Sequence, residues 1–236
     1  MTRHRLSALL GPMEVRWRIR HPKRRENEMR FIGDTHAKFD RYQAIANEVS
    51  ESIQVGDFGA GFDPLPAMGL GHRFIRGNHD DPARCAQSLN WISDGTSIHS
   101  PDHGSMFFMG GATSVDKHTR SEGIDYWSDE EVTIVQGNSI LDYYEEDLTS
   151  WGRFDFVVTH ECPESVARTI FNRRRDKLED HSRTRQILDA MLEIGAPRCW
   201  IFGHWHTNVD VVIGDTRFIC LAELAHIDLT AEQISG

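Results

Sequence analysis

Long apolar runs are missing from this chain: no stretch approaches the roughly 20 residues that a bilayer-spanning helix needs. No membrane partner is therefore expected. Cysteine is scarce and scattered, since Cys85, Cys162, Cys199 and Cys220 form no C-x-x-C pair, and neither a zinc knuckle nor a disulfide framework is suggested. They read as reduced, mostly buried packing residues. Positive charge is also in short supply. The 26 Lys and Arg against 36 Asp and Glu leave a formal charge of −10, which argues against a broad nucleic-acid footprint. The basic residues that exist crowd before residue 26, too densely around the short Leu6 to Leu10 patch for a clean secretory signal. The cytoplasm is the default location.

What is present is an ordinary globular composition, 39% hydrophobic and 26% charged over 236 residues, enough for one sizeable α/β domain. Residues 1–28 show no clear period and read as a basic, poorly ordered extension. Met29 stands directly before the first convincing strand, so the working domain is expected over 29–236, with the upstream stretch read as translated but not part of it. The competing reading of that stretch is a flexible tail that touches an anionic partner.

From Met29 short apolar runs alternate with segments of helical period, the pattern of a layered α/β architecture. Strands are expected at 29–32, 52–55, 73–75, 106–109, 154–158 and 199–202. Phe39, Tyr42, Ile45, Ala46 and Val49 share one helical face between the first two strands, which makes a right-handed βαβ unit and an at least partly parallel sheet. Helical spacing recurs over 140–151 and 184–194, the latter stopped by Gly195 and Pro197. Residues 209–221, broken by Gly214 and Asp215, read as a hairpin.

The informative feature is where the ligand-type residues fall. Phe31 and Ile32 lead into Asp34 and His36; Ile53 to Val55 lead into Asp57; Phe74 and Ile75 lead into Arg76, Asn78, His79 and Asp80. Val157 and Val158 then run into His160, and Ile201 and Phe202 run into His204 and His206. Carboxyl ends of strands form the binding crevice of an open α/β sheet, so five such ends bring these side chains together. Carboxylate oxygens and neutral imidazoles suit Mn, Fe, Zn or Ni, and a carboxylate can bridge two ions. A single ion does not need so many ligands, whereas two divalent ions can clamp a phosphoryl group and activate water. The glycines before Asp34, Asp57, Asn78 and His204 are read as letting the backbone turn sharply and approach phosphate. Any one of these motifs is weak by itself, and Gly214-Asp215 is rejected as a turn. Their ordered recurrence carries the argument.

In that order the sequence resembles the calcineurin-like metallophosphoesterases, whose blocks are D-x-H, G-D, G-N-H-[DE], H and G-H-x-H; all are present between Asp34 and His206. The resemblance implies a four-layer α/β/β/α sandwich with mixed sheets and the metal site at strand C-terminal ends. It implies that Asp34, His36 and His206 hold one ion, that Asn78, His160 and His204 hold the other, and that Asp57 bridges them. The nucleophile implied is a hydroxide bridging the ions, which leaves Cys162 no nucleophilic role. His79 matches the histidine that protonates the leaving oxygen or holds the phosphate, and Asp80 the acid that orients it. Mn is the first expectation for the two divalent ions, with Fe, Zn or Ni as alternatives.

The second block reads Gly56-Asp57-Phe58-Gly59-Ala60, without the arginine of the phosphoprotein phosphatases, which argues against that branch. Gly110 to Lys117 and Thr159-His160-Glu161-Cys162-Pro163 look closer to bacterial and phage-type members. Arg76, Lys117, His118 and Arg120 are candidate substrate contacts, weighed against a reading as solvated surface. Arg173 to Lys177 is a candidate rim or lid, weighed against a solvated helix end. Trp127 and Trp205 are weighed as base-stacking platforms against simple packing. The expected activity is hydrolysis of a small phosphomonoester or phosphodiester, nucleotides included. The rivals are a nuclease, which should carry a basic groove, and a silent metal-binding or interaction module, which should lack ligands.

Overall fold

The computed structural model describes residues 15–17, 27–62, 64–172 and 181–234. Two sheets are built from the expected strands and their neighbours. The smaller has the order β11-β2-β3-β4, with β2 at Met29–Ile32, β3 at Ser52–Gln54, β4 at His72–Phe74 and β11 at His226–Leu229. The larger has the order β1-β9-β10-β8-β7-β6-β5. Its strands are β1 Val15–Trp17, β5 Thr96–Ser100, β6 Gly104–Met109, β7 Phe156–Thr159, β8 Cys199–Phe202, β9 Val209–Ile213 and β10 Thr216–Cys220. The pairs β2–β3–β4 and β6–β7–β8–β10 are parallel, while β11, β5, β9 and β1 join antiparallel at or near the edges. Both sheets are therefore mixed.

Period-two alternation sorts the core into three layers. On β6, β7 and β8, Met106, Phe108, Phe156, Val158, Cys199 and Ile201 meet Phe31, Ile53 and Val55 of the smaller sheet, which fills the space between the sheets. Their alternates Phe107, Val157, Trp200 and Phe202 face the opposite way. There they pack on α3 (Ile134–Trp151), α4 (Glu164–Ile170) and α5 (Arg183–Ile194), through Ile140, Tyr144, Val166, Leu188 and Met191. On the outer face of the smaller sheet, Ile32 and Phe74 pack on Tyr42 and Ala46 of α1 (Phe39–Ala46) and on Cys85 of α2 (Pro82–Cys85). The result is a four-layer α/β/β/α sandwich.

Two of the expected helices are extended by their caps, whereas α1 ends at Ala46, short of Val49. Thr133 and Gln136 form a capping box that starts α3 at Ile134, and the Ser182 hydroxyl accepts from the Arg185 amide at the start of α5. Gly214 takes φ +59° in the tight turn of the β9–β10 hairpin. Among the described elements, β1, β5, β11, α2, α4 and the short turns of helix at Lys117–Thr119 and Ala231–Ile234 were not drawn from sequence. Of residues 1–28, the structure describes β1, paired with β9, and the two residues before Met29. No helix among the described residues is long and apolar enough to cross a membrane.

Candidate metal centre

The parallel strands β2, β3 and β4 of one sheet and β7 and β8 of the other end at the same place, and the loops that follow them hold every predicted ligand. Local folding ties these loops to one another. The Asp57 carbonyl accepts from the Thr35 and His36 amides at 2.9 and 2.8 Å, which hangs the loop after β2 on the loop after β3. His204 donates its amide to both oxygens of Asp34 at 3.1 Å, so the loop after β8 hangs on the loop after β2.

Among the described residues, four of the six non-glycine residues with positive φ are predicted ligands: His36, Asp57, His204 and His206. Left-handed backbone at residues with a Cβ costs of order 1 kcal/mol each or more and persists where the surroundings over-determine it. The glycines beside them serve chiefly as space. A Cβ on Gly77 would lie 2.1 Å from Asp57 Oδ1, one on Gly203 2.1 Å from Asp34 Oδ1, and one on Gly56 2.3 Å from His160 Nδ1. Each makes room for another block's ligand.

Asp34, His36, Asp57 and His206 offer ligand atoms that all lie within 4.8 Å of one another. His36 Nε2 and His206 Nε2 stand 3.1 Å apart, and His206 Nε2 is 3.2 Å from Asp34 Oδ2. A second group shares Asp57. His160 Nε2 is 3.1 Å from Asn78 Oδ1 and 3.4 Å from Asp57 Oδ1, and the His204 ring packs edge-on to His160 at 5.2 Å. Asp57 is 1% exposed, its Oδ1 accepts from the His79 amide, and its Oδ2 has no hydrogen-bond partner. An orphaned buried carboxylate oxygen is costly and calls for a cation. The donor set thus fits divalent metal.

Hydrogen bonds behind the predicted ligands turn two of them toward the site. His160 Nδ1 donates to the Val55 carbonyl at 2.9 Å, which turns Nε2 toward Asn78 and Asp57. The Asn78 amide nitrogen donates to Ser114 Oγ at 2.9 Å, which turns its oxygen the same way. Glu161, 1% exposed, takes the Trp205 indole and the Cys162 amide and lies 3.6 Å from His204 Nε2. Burial opposes charge on both Asp57 and His160, yet their mutual attraction wins. It holds the Asp57 carboxyl well below the usual range and pushes His160 up to about 9.

Several predicted roles change. Asp80 does not orient the His79 ring. Its carboxylate accepts from the amides of Phe58, Gly59, Ala60 and Gly77 at 2.7 to 3.0 Å, which ties the loops after β3 and β4 together. The His79 ring is instead met by Arg120, whose Nη1 lies 2.9 Å from Nδ1. Arg76 is neither a substrate contact nor solvated surface. It is 4% exposed, pairs with Asp94 at 2.9 Å and donates to the carbonyls of Asp129 and Glu130. Lys117 and His118 are exposed in a single 3₁₀ turn.

Trp205 is fully buried and stacked on Phe171 at 4.0 Å, and Trp127 is 8% exposed against Phe62, so both pack. All four cysteines are buried and unpaired, with their thiols pushed up by burial. The Arg173 to Lys177 run lies outside the described residues.

Ser114, Glu161, Asp116 and Glu130 are the residues the motif reading missed. Glu130 is 3% exposed; Oε1 accepts from the Ser114 amide, Oε2 has no hydrogen-bond partner, and burial raises its carboxyl to about 7. Because the folded value lies above the unfolded one, the contribution of Glu130 to stability is fully present at low pH. It is lost as pH rises from about 4.5 through about 7. Glu130→Gln keeps the acceptor and removes the charge. In chelated protein it is expected to be more stabilising at pH 8 than at pH 5 by roughly 2 kcal/mol, read by denaturant unfolding at the two pH values. An equal effect at both would show that Glu130 does not titrate in this range.

No protein-family model matches the chain, and no curated protein matches it significantly. Solved structures do. One aligns at a TM-score of 0.58 and 12% identity, over 88% of this chain and 96% of its own. TT1561 of Thermus thermophilus aligns at 0.50 and 9% identity, over 87% of this chain and 96% of its own. A conserved uncharacterized protein of Streptococcus pneumoniae TIGR4, described as a predicted phosphoesterase, aligns at only 0.42 and 12% identity, over 87% and 90%. At these identities a likeness speaks to architecture alone, here the four-layer α/β/β/α sandwich described above.

Proposed function

We propose that this protein is a metal-dependent phosphoesterase whose centre takes two divalent ions. Asp34, His36 and His206 hold one, Asn78, His160 and His204 hold the other, and Asp57 lies between them. The observation that carries the reading is the buried Asp57 Oδ2, which has no hydrogen-bond partner and faces His36 Nε2 at 3.8 Å, on the carboxylate that both ligand groups share. Divalent ions there supply Lewis-acid charge for a phosphoryl group and lower the pKa of water.

The chain's own residues do the rest. His79 borders the centre, its ring edge-on to His36 at 5.5 Å, and supplies the hydrogen for a phosphoryl or leaving-group oxygen. The hydrogen-bonded loops hold this constellation in place, so little reorganisation accompanies reaction. Lys117 is an exposed cation three residues before Arg120 that can meet an anionic substrate, and Mn²⁺ suits the mixed oxygen and imidazole donors.

The test is hydrolysis of p-nitrophenyl phosphate and bis-p-nitrophenyl phosphate with Mn²⁺ added or chelated. Turnover that appears with Mn²⁺ and disappears with chelator is expected, and the preferred ester assigns monoesterase or diesterase. A protein that binds two ions yet turns over neither ester with any divalent metal would overturn the reading in favour of a silent metal-binding module.

A further inference from the structure

The contact that no motif foretold is the one at His79 Nδ1. Arginine carries only donors and stays charged at any working pH. A hydrogen bond between Arg120 Nη1 and His79 Nδ1 at 2.9 Å therefore has one polarity: Arg120 donates and Nδ1 accepts through its lone pair. A neutral imidazole whose Nδ1 is an acceptor carries its hydrogen on Nε2.

Arg120 is in turn fixed. Its Nε and Nη2 grip the two oxygens of Asp116 at 2.7 and 2.8 Å, a bidentate pair on one short loop. The second hydrogen of Nη1 goes to the Asp125 carbonyl at 3.1 Å. The planar fork that would otherwise grip a phosphate is thus taken by Asp116, and the one remaining Nη1 hydrogen is aimed at the ring. His79 is held from its other side by its backbone, whose amide donates to Asp57 Oδ1 at 2.9 Å. Ring and main chain are both tied down.

We propose that Arg120, clamped by Asp116, is a positioning residue that fixes His79 in the Nε2–H tautomer, so that the ring meets the substrate phosphoryl group as a hydrogen-bond donor. The substrate half of this inference rests on the phosphoesterase reading above; the tautomer half does not. It also chooses between the two roles that the family resemblance leaves open for this histidine, in favour of holding the phosphate. Arg120 acts through His79 and is distinct from a substrate-binding cation, and Asp116 acts through Arg120.

The experiment uses the full chain, labelled with ¹⁵N-histidine and loaded with diamagnetic Zn²⁺. Long-range ¹H–¹⁵N correlation spectra are recorded for the native protein, Arg120→Met and Asp116→Asn, with His79→Ala to assign the ring. The expected native spectrum shows His79 Nδ1 without hydrogen and Nε2 with it. In Arg120→Met the two signals should move toward a mixture of tautomers, and in Asp116→Asn part of the way.

Where Zn²⁺ or Mn²⁺ supports turnover, kcat of Arg120→Met should fall roughly 10- to 100-fold with metal content unchanged. A hydrogen on Nδ1 in the native protein, or a His79 pattern indifferent to both substitutions, overturns the proposal. Should Arg120→Met fail to fold, Asp116→Asn alone decides, because it leaves Arg120 in place and removes only the clamp. Absence of turnover on every ester would sink the phosphoesterase reading while the spectra still judged the tautomer.

Discussion

Replacing Asp57 with Asn will abolish metal-dependent turnover, by about 10³-fold or more, and will lower bound metal from two ions per chain to one or none. The substitution is nearly isosteric and keeps an oxygen for the His79 amide, so the loops that depend on that bond stay closed. It changes one thing at the centre. With the amide oxygen held by the His79 N–H, the Oδ2 position becomes an NH₂ group, which cannot share a negative charge between two cations.

A loss of about 10³-fold corresponds to roughly 4 kcal/mol of transition-state stabilisation, more than a single neutral hydrogen bond supplies and well within what a bridging carboxylate controls. Metal analysis on the gel-filtered protein, alongside turnover and a far-ultraviolet dichroism spectrum, separates loss of the centre from loss of the fold. A variant that retains two ions and turns over within tenfold of the native protein would show that Asp57 does not bridge.

The frame of the site was legible because of where apolar runs stop. β2, β3, β7 and β8 are short strands buried throughout, β4 is buried at its last residue, Phe74, and each is followed within four residues by Asp, Asn or His, residues that a buried loop accommodates only with a reason. The missing strands are those without such contrast. β5 reads Thr-Ser-Ile-His-Ser and lies half-exposed at a sheet edge, and β11 is four residues with an exposed histidine and only its last residue buried. Strand pairing, which sequence pattern does not record, makes them strands.

The partner choices were also out of reach. Arg76 sits two residues before Asn78 and looks like a substrate contact until the chain brings Asp94 and the carbonyls of 129 and 130 around it. Asp80 follows His79 directly, yet successive side chains diverge. Its carboxylate is drawn to four amides, while an arginine 41 residues on reaches the ring. Nor does a sequence disclose that His36, Asp57, His204 and His206 adopt positive φ, since only a crowded, over-determined site holds such residues there.

The glycines distinguish a turn from a close approach, and Gly77→Ala tests the difference. Gly77 needs no positive φ, so conformational freedom does not explain it; a methyl there would stand 2.1 Å from Asp57 Oδ1 and 2.2 Å from the Asp57 backbone nitrogen. A backbone atom cannot swing aside as the end of a long side chain can. The loops after β3 and β4 must therefore part, and the bonds from the Phe58, Gly59 and Ala60 amides to Asp80 and from the His79 amide to Asp57 weaken with them. The expected result is loss of turnover by at least about 10²-fold, through displacement of Asp57, together with destabilisation of roughly 3 kcal/mol from overpacking.

In a chain of this size that lowers Tm by about 6–12 °C in the metal-free protein. Gly214→Ala is the control, because Gly214 takes φ +59° in the β9–β10 turn with nothing within 4 Å of an added Cβ. It should cost about 1 kcal/mol of backbone strain and leave turnover intact. If the two variants behaved alike in turnover, the glycines of the metal loops would be turn residues, and the packing of one ligand block into the space left by another would have to be abandoned.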